Sequence, residues 1–205
     1  MLRQPSRALG ATETAIYRRL VQPDAPKLLT TAGAMEIVRT SAGSTSLSHS
    51  MSSLESKGGV RRIGKGVYLN RSTGLAPKIA DVIPWVFRNT RYYYLGLNSM
   101  ANHWGLSPQI PYTYQVIYSP KNEAQVKRIA SWCSMLEKVD KDLGGTLVPV
   151  LSRTGTVDKG VSQSIIDGSQ LPASTIERTI VDSIIYTNEI GWGERGVPLD
   201  KSIFE

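Results

Sequence analysis

The stretch from Ser44 to Leu69 constrains this chain more than any other, because an amphipathic helical pattern runs directly into a basic two-stranded one. From Ser44 to Gly58 the apolar Leu47, Met51 and Leu54 recur at i, i+4 and i+7, so they share one helical face. Ser44 suits the N-cap and Gly58 the C-terminal stop. The opposite face carries Thr45, Ser48, His49, Ser52 and Ser56, all short and polar, with no carboxylate to repel a phosphate. After Gly58-Gly59 the period changes. Val60 and Ile63, then Val67 and Leu69, flank Gly64-Lys65, a glycine-first pair that predicts a two-residue type II′ hairpin loop. Lys57, Arg61, Arg62 and Lys65 load this segment with positive charge. A helix running into a charged hairpin is the reading half of a winged helix-turn-helix, and Ser, Thr and His are side chains that reach base edges in a major groove. A serine-rich surface helix followed by an unrelated hairpin would show the same local pattern. Gly59-x-x-x-x-Gly64-Lys65 also spells most of a phosphate-binding loop, but Gly66 stands where the metal-binding Ser or Thr belongs and the motif follows a helix instead of a strand.

The preceding residues supply the rest of the motif. Thr12 to Val21 predicts a helix with Ala15, Ile16 and Leu20 inward and Thr12 as its cap; Pro23 and Pro26 close it. A second helix starting near Thr30 or Thr31 turns Ala34, Ile37 and Val38 inward and ends at the turn Thr40-Ser-Ala-Gly43. Helix, helix, glycine turn, helix and hairpin is the winged helix-turn-helix order. The polar segment Asn70 to Gly74 predicts a domain boundary, giving a DNA-binding domain over residues 1–72 and a second domain over 75–205. Charge supports that division. Of a net charge of +7, residues 1 to 72 hold 11 Lys and Arg against 4 Asp and Glu, and residues 73 to 205 hold 13 against 13. A surplus confined to one third of a chain is the footprint of a polyanion partner, not of general solubility.

The remainder predicts a mixed α/β domain, so the chain as a whole reads as α+β. Leu75 to Phe87 is helical with Pro84 kinking or ending it. Arg91 to Gly96 is an aromatic strand, and Asn98 or Ser99 caps a short helix through Trp104. Tyr112 to Tyr118 alternates as a strand does. Asn122 to Val139 is a long helix with Val126, Ile129, Ala130, Cys133 and Leu136 as its buried stripe. Thr146 to Leu151 and Val161 to Ile166 are strands, and Pro172-Ala-Ser174 introduces a last helix with Ile176, Ile180, Val181 and Ile184 on its apolar side. Tyr92 to Tyr94 could stack on bases, although strand alternation points them to a core.

Several classes are excluded or disfavoured. No run of about 18 apolar residues is present to span a membrane. Met1 to Leu20 has no apolar core of a secretory signal, so a cytoplasmic protein is expected. The one cysteine, Cys133, sits among apolar helical positions and reads as a buried thiol. His49, His103 and Cys133 are too few soft ligands for a structural zinc, so no metal or cofactor is expected. The acidic residues are dispersed, and no histidine stands at a meaningful interval from a Ser, Cys or Asp, so an enzyme is not expected; a nuclease or nucleotidyltransferase is the lesser alternative.

Three segments then coincide with one family. Arg62-Ile-Gly-Lys-Gly-Val-Tyr68, Leu97-Asn-Ser-Met-Ala-Asn-His-Trp-Gly-Leu-Ser-Pro-Gln-Ile-Pro111 and Ser174-Thr-Ile-Glu-Arg-Thr-Ile-Val-Asp182 fall in an order and spacing that resemble the AbiEi family. These are antitoxins of type IV AbiE abortive-infection systems and transcriptional regulators of the same build. The resemblance spans roughly residues 12 to 192. It implies a winged helix-turn-helix that represses its own operon from inverted repeats in the promoter, and a larger C-terminal domain needed for antitoxicity. It also implies a nucleotidyltransferase-like toxin as functional partner, opposed without being gripped directly. A solitary regulator is the alternative within the same build. Family members continue with further helices beyond the counterpart of Gly191-Trp-Gly193, so a shortened C-terminal domain is expected here. The last motif also has a reading without function. Ser174 and Glu177 have capping-box spacing, and Arg178 and Asp182, the antitoxin surface candidates, lie at i and i+4 away from the isoleucines, as an exposed pair worth about 0.3 to 0.5 kcal/mol.

Overall fold

In the computed structural model, which describes residues 8–41, 47–73, 77–108, 112–152 and 159–186, the chain forms two units, Met1–Pro77 and Lys78–Glu205. The architecture is α+β. In the first unit, α1 (Ala11–Leu20) is started by Glu13, whose carboxylate reaches back to accept from the Gly10 amide at 3.1 Å. Thr12, the expected cap, instead lies buried in the first turn. A short strand that periodicity did not reveal, β1 (Leu28–Thr30), follows the two prolines. Thr30 ends it and accepts at Oγ1 from the Gly33 amide at 3.0 Å, capping α2 (Thr31–Ser41). Then come α3 (Leu47–Ser56), β2 (Val60–Gly64) and β3 (Val67–Asn70). The three strands form an antiparallel sheet in the order β1-β3-β2. Ile16 and Leu20 of α1, Ala34 and Val38 of α2, and Met51 and Leu54 of α3 meet Leu29, Val60 and Tyr68 in one core. This is the winged helix-turn-helix arrangement.

Two local expectations shift. The hairpin turn is Lys65-Gly66 and not Gly64-Lys65, because the left-handed backbone falls on Gly66 (φ +69). Gly66 has no room for a side chain: a Cβ there would stand 2.7 Å from Thr31 Oγ1. The Thr31 amide donates to the Gly66 carbonyl at 2.9 Å, so the wing turn is pinned to the start of α2. Asn70, expected to open a linker, is 2% exposed. Its Nδ2 donates to the carbonyls of Leu20 and Pro26, and its Oδ1 accepts from the Ser72 amide. These bonds tie the end of the sheet to the end of α1, so the unit closes beyond Asn70 and its boundary falls at Pro77. The expected cap Ser44 and turn residue Gly43 lie outside the described residues.

The second unit is a five-stranded mixed sheet, order β6-β5-β4-β8-β7. Its elements are α4 (Ile79–Phe87), β4 (Tyr92–Leu95), α5 (Leu97–His103), β5 (Thr113–Ser119), α6 (Glu123–Glu137), α7 (Asp140–Leu143), β6 (Thr146–Leu151), β7 (Val161–Ile166), β8 (Ser169–Ser174) and α8 (Ile176–Ile185). β4 runs antiparallel to β5 and parallel to β8. β6 lies parallel to β5, and β7 antiparallel to β8. Pro84 is accommodated inside α4 without ending it. Pro172-Ala-Ser174, expected to introduce a helix, falls in β8, which tolerates Pro172 within the strand.

α6 keeps Ile129, Cys133 and Leu136 of its expected stripe inside, whereas α8 turns a different face inward than its apolar spacing predicts. α6 buries Gln125, Ile129, Cys133 and Leu136, leaving Val126 half-buried and Ala130 exposed. α8 buries Thr179, Asp182 and Ser183, while Ile176, Val181 and Ile184 are 41, 46 and 61% exposed. A polar stripe can face a core when every group has a partner. Thr179 Oγ1 donates to the Thr175 carbonyl and accepts from Ser174 Oγ, and Ser183 Oγ donates to the Thr179 carbonyl. The cap is Thr175, which accepts from the Arg178 amide; Ser174 belongs to β8. The Ser174–Glu177 capping box is therefore replaced by a cap one residue later.

Candidate nucleic-acid interface

α3 places its polar side chains as its periodicity requires. Met51 and Leu54 are buried and Leu47 packs against the same core. Ser48, His49, Ser52 and Ser56 are exposed. Ser56 Oγ donates to the Ser53 carbonyl of its own helix, which leaves Ser48, His49 and Ser52 as the outward donors and acceptors. Thr45 lies outside the described residues. The single carboxylate on α3, Glu55, accepts from the Arg62 amide at 2.9 Å and so joins the helix to the first wing strand.

The cations divide into two groups. Arg62 and Lys65 are exposed on the wing, and Arg61, which precedes Arg62 in β2, is half-buried. Arg62 Nε donates to the Gly64 carbonyl at 3.2 Å, which restrains its guanidinium at the wing surface. Lys57 has a different role from the phosphate contact expected of it. Its Nζ donates to the Ala8 carbonyl and to Glu13 Oε2, with 13% of its side chain exposed. Burial pushes the Glu13 carboxyl up, but hydrogen bonds from Lys57, Ser53 and the Gly10 amide outweigh it and hold the group below its ordinary value. Lys57 thus fastens the end of α3 to the start of α1, and its charge is used inside the protein. What remains is an uncharged polar helix face beside exposed wing cations, a combination suited to base edges on one side and phosphates on the other.

Arg178 and Asp182 are not an exposed pair. Asp182 is fully buried, and 16% of the Arg178 side chain is exposed. Arg178 Nε donates to Asp182 Oδ1 at 2.8 Å, the Tyr94 hydroxyl donates to Oδ2 at 2.8 Å, and Arg178 Nη2 donates to the Tyr94 oxygen at 3.0 Å. Burial pushes the Asp182 carboxyl above its usual value, although both hydrogen bonds favour its charged form. Burial first, and the Asp182 carboxylate after it, hold the Tyr94 phenol far above its ordinary range. Tyr94 is the member that sequence reasoning missed, since a strand pattern reveals burial but not a partner more than 80 residues away. Trp104 Nε1 also donates to the Ser174 carbonyl at 2.9 Å, so the second and third family-like segments pack on each other. His103 stacks edge-on against Trp104 on the surface. The arrangement holds α8 on the sheet.

Among the described residues there is no cluster of three metal-ligating side chains and no helix long and apolar enough to cross a membrane. No family model and no curated protein matches the chain. A crystal structure of the RV2827C protein from Mycobacterium tuberculosis is similar in fold, with a TM-score of 0.62 at 14% identity over 87% of this chain. The match covers 62% of that protein, so the present chain corresponds to less than two thirds of its length. At this identity the likeness shows that the fold is shared with a longer protein.

Proposed function

We propose that the chain is a double-stranded-DNA-binding transcriptional autorepressor, with α3 in the major groove and the wing on the phosphate backbone. One observation carries this reading: the exposed, uncharged face of Ser48, His49 and Ser52 lies in the unit that holds the entire positive surplus, with Arg62 and Lys65 exposed on the adjoining wing. The family resemblance extends it to the antitoxin role in a type IV system, acting in the cytoplasm against a nucleotidyltransferase-like toxin and without an enzymatic step of its own. Inverted repeats in the promoter would require two copies of the chain, since operator symmetry mirrors protein symmetry.

Fluorescence anisotropy of the full chain on its own promoter, over a range of salt, tests the DNA reading. Each phosphate contact should add about −0.9 to the slope of log K against log salt. A flat response removes the electrostatic argument. Co-expression with the product of the adjacent gene tests the antitoxin role separately: a chain that represses but never restores growth is a solitary regulator.

A further inference from the structure

The second unit has a basic feature that the DNA reading does not use. Between the end of α4 and the start of α6 lies a cleft of about 270 Å³ lined by Asn89, Lys121, Asn122, Ala124, Gln125 and Arg128. Gln125 is 7% exposed. Its Oε1 accepts from the Lys121 amide at 2.7 Å, which fixes the orientation of the side-chain amide, and its Nε2 has no acceptor among the described residues. Buried donors are nearly always paired, so this one is positioned for an acceptor from outside the chain.

The surrounding charge specifies that acceptor. Neither Lys121 nor Arg128 has a carboxylate partner among the described residues. The acid in the first turn of α6, Glu123, is paired with Lys127 at 2.9 Å. Burial, together with the positive charge of Arg128, lowers the affinity of the Arg88 guanidinium for its proton, which marks two cations held near each other. α6 itself starts here and runs for 15 residues. Asn122 Oδ1 caps the Gln125 amide at 3.0 Å, and the amides of Glu123 and Ala124 have no acceptor within the helix. A buried amide donor, unpaired cations and a helix N-terminus together favour an anion with several acceptor oxygens.

We propose that this cleft binds a phosphate group, with Lys121 and Arg128 supplying charge and Gln125 Nε2 and the first amides of α6 donating hydrogen bonds. The volume lies below the roughly 300 to 1,000 Å³ of sites that enclose a drug-sized ligand. It therefore holds inorganic phosphate, or the phosphate end of a nucleotide whose base stays outside. The site is in the second unit and is independent of how the winged helix meets DNA.

The test uses the full chain labelled with ¹⁵N. The Gln125 side-chain amide and the Glu123 and Ala124 backbone amides are followed while sodium phosphate replaces chloride at constant ionic strength, and adenosine monophosphate and adenosine are titrated in parallel. Saturable shifts of these three groups with phosphate are expected. Tighter binding of adenosine monophosphate than of phosphate assigns the anion to a nucleotide, and equal binding assigns it to free phosphate. Arg128→Gln and Lys121→Gln should each weaken binding about tenfold, the loss of one charge-assisted hydrogen bond. Gln125→Glu keeps the acceptor for Lys121, replaces the donor with a carboxylate oxygen, and should abolish binding while the chain stays folded by circular dichroism. Absence of saturation with both phosphate compounds overturns the proposal, as does unchanged affinity in folded Arg128→Gln and Gln125→Glu.

Discussion

Asp182→Ala separates the buried network seen in the structure from the exposed pair that helical spacing suggests. Removing the carboxylate strands two donors, Arg178 Nε and the Tyr94 hydroxyl, each 2.8 Å from an Asp182 oxygen. Tyr94 is fully buried and the Arg178 side chain is 16% exposed, so water replaces little of the loss. Breaking a buried ion pair from one side costs about 3 to 5 kcal/mol, whereas an exposed i,i+4 pair is worth only about 0.3 to 0.5. For a chain of this size roughly 3 °C of melting temperature accompanies each kcal/mol, so the two cases differ as about 9 to 15 °C against about 1 °C. Urea unfolding followed by tryptophan fluorescence is the suitable assay, because Trp85, Trp104, Trp132 and Trp192 all belong to the second unit and none to the first. The midpoint should fall with an unchanged slope. Ile184→Asp serves as the counterpart, since a residue 61% exposed should tolerate charge within about 0.5 kcal/mol. A loss below about 1 kcal/mol for Asp182→Ala, or a larger loss for Ile184→Asp, would refute the assigned face of α8.

Three other outcomes are expected. Arg62→Gln and Lys65→Gln should weaken promoter and random DNA alike, whereas Ser48→Ala, His49→Ala or Ser52→Ala should erode discrimination by about 1 to 3 kcal/mol for each base contact removed; competition anisotropy distinguishes the two. The Glu13 carboxyl is held below 4.5, so its contribution to the first unit is complete above that pH and is lost as pH falls through the lower folded value. Lys57→Met should flatten that acid dependence, read by far-ultraviolet circular dichroism in urea at a series of pH values. Gly66→Ala combines a φ of +69 with a Cβ 2.7 Å from Thr31 Oγ1, and should cost the first unit about 1 to 3 kcal/mol. A melt equal to that of the parent would show that the wing turn is not tied to α2.

The winged helix was legible because its determinants are local. Leu47, Met51 and Leu54 have no alternative helical face with comparable burial, and the exposed Ser48, His49 and Ser52 follow from the same period. Charge is likewise additive along a chain, so the sequence alone places the basic surplus within residues 1 to 72. What escaped depends on partners distant in sequence. β1 is three residues long and exists because β3 pairs with it. Lys57 looked like one more wing cation until Glu13, 44 residues earlier, came within reach of its ammonium. In α8 the isoleucine stripe and the Thr179–Asp182–Ser183 stripe are both helical in period, and spacing cannot rank them. Only the sheet does so, by bringing Tyr94 to Asp182 and Ser174 to Thr179 and thereby satisfying polar groups that would otherwise be costly to bury. On α6 the buried Gln125 joins the apolar stripe, with its Oε1 answered by the Lys121 backbone where the residue lines the cleft. Periodicity shows that a helix has two faces, and tertiary hydrogen bonding decides which of them is inside.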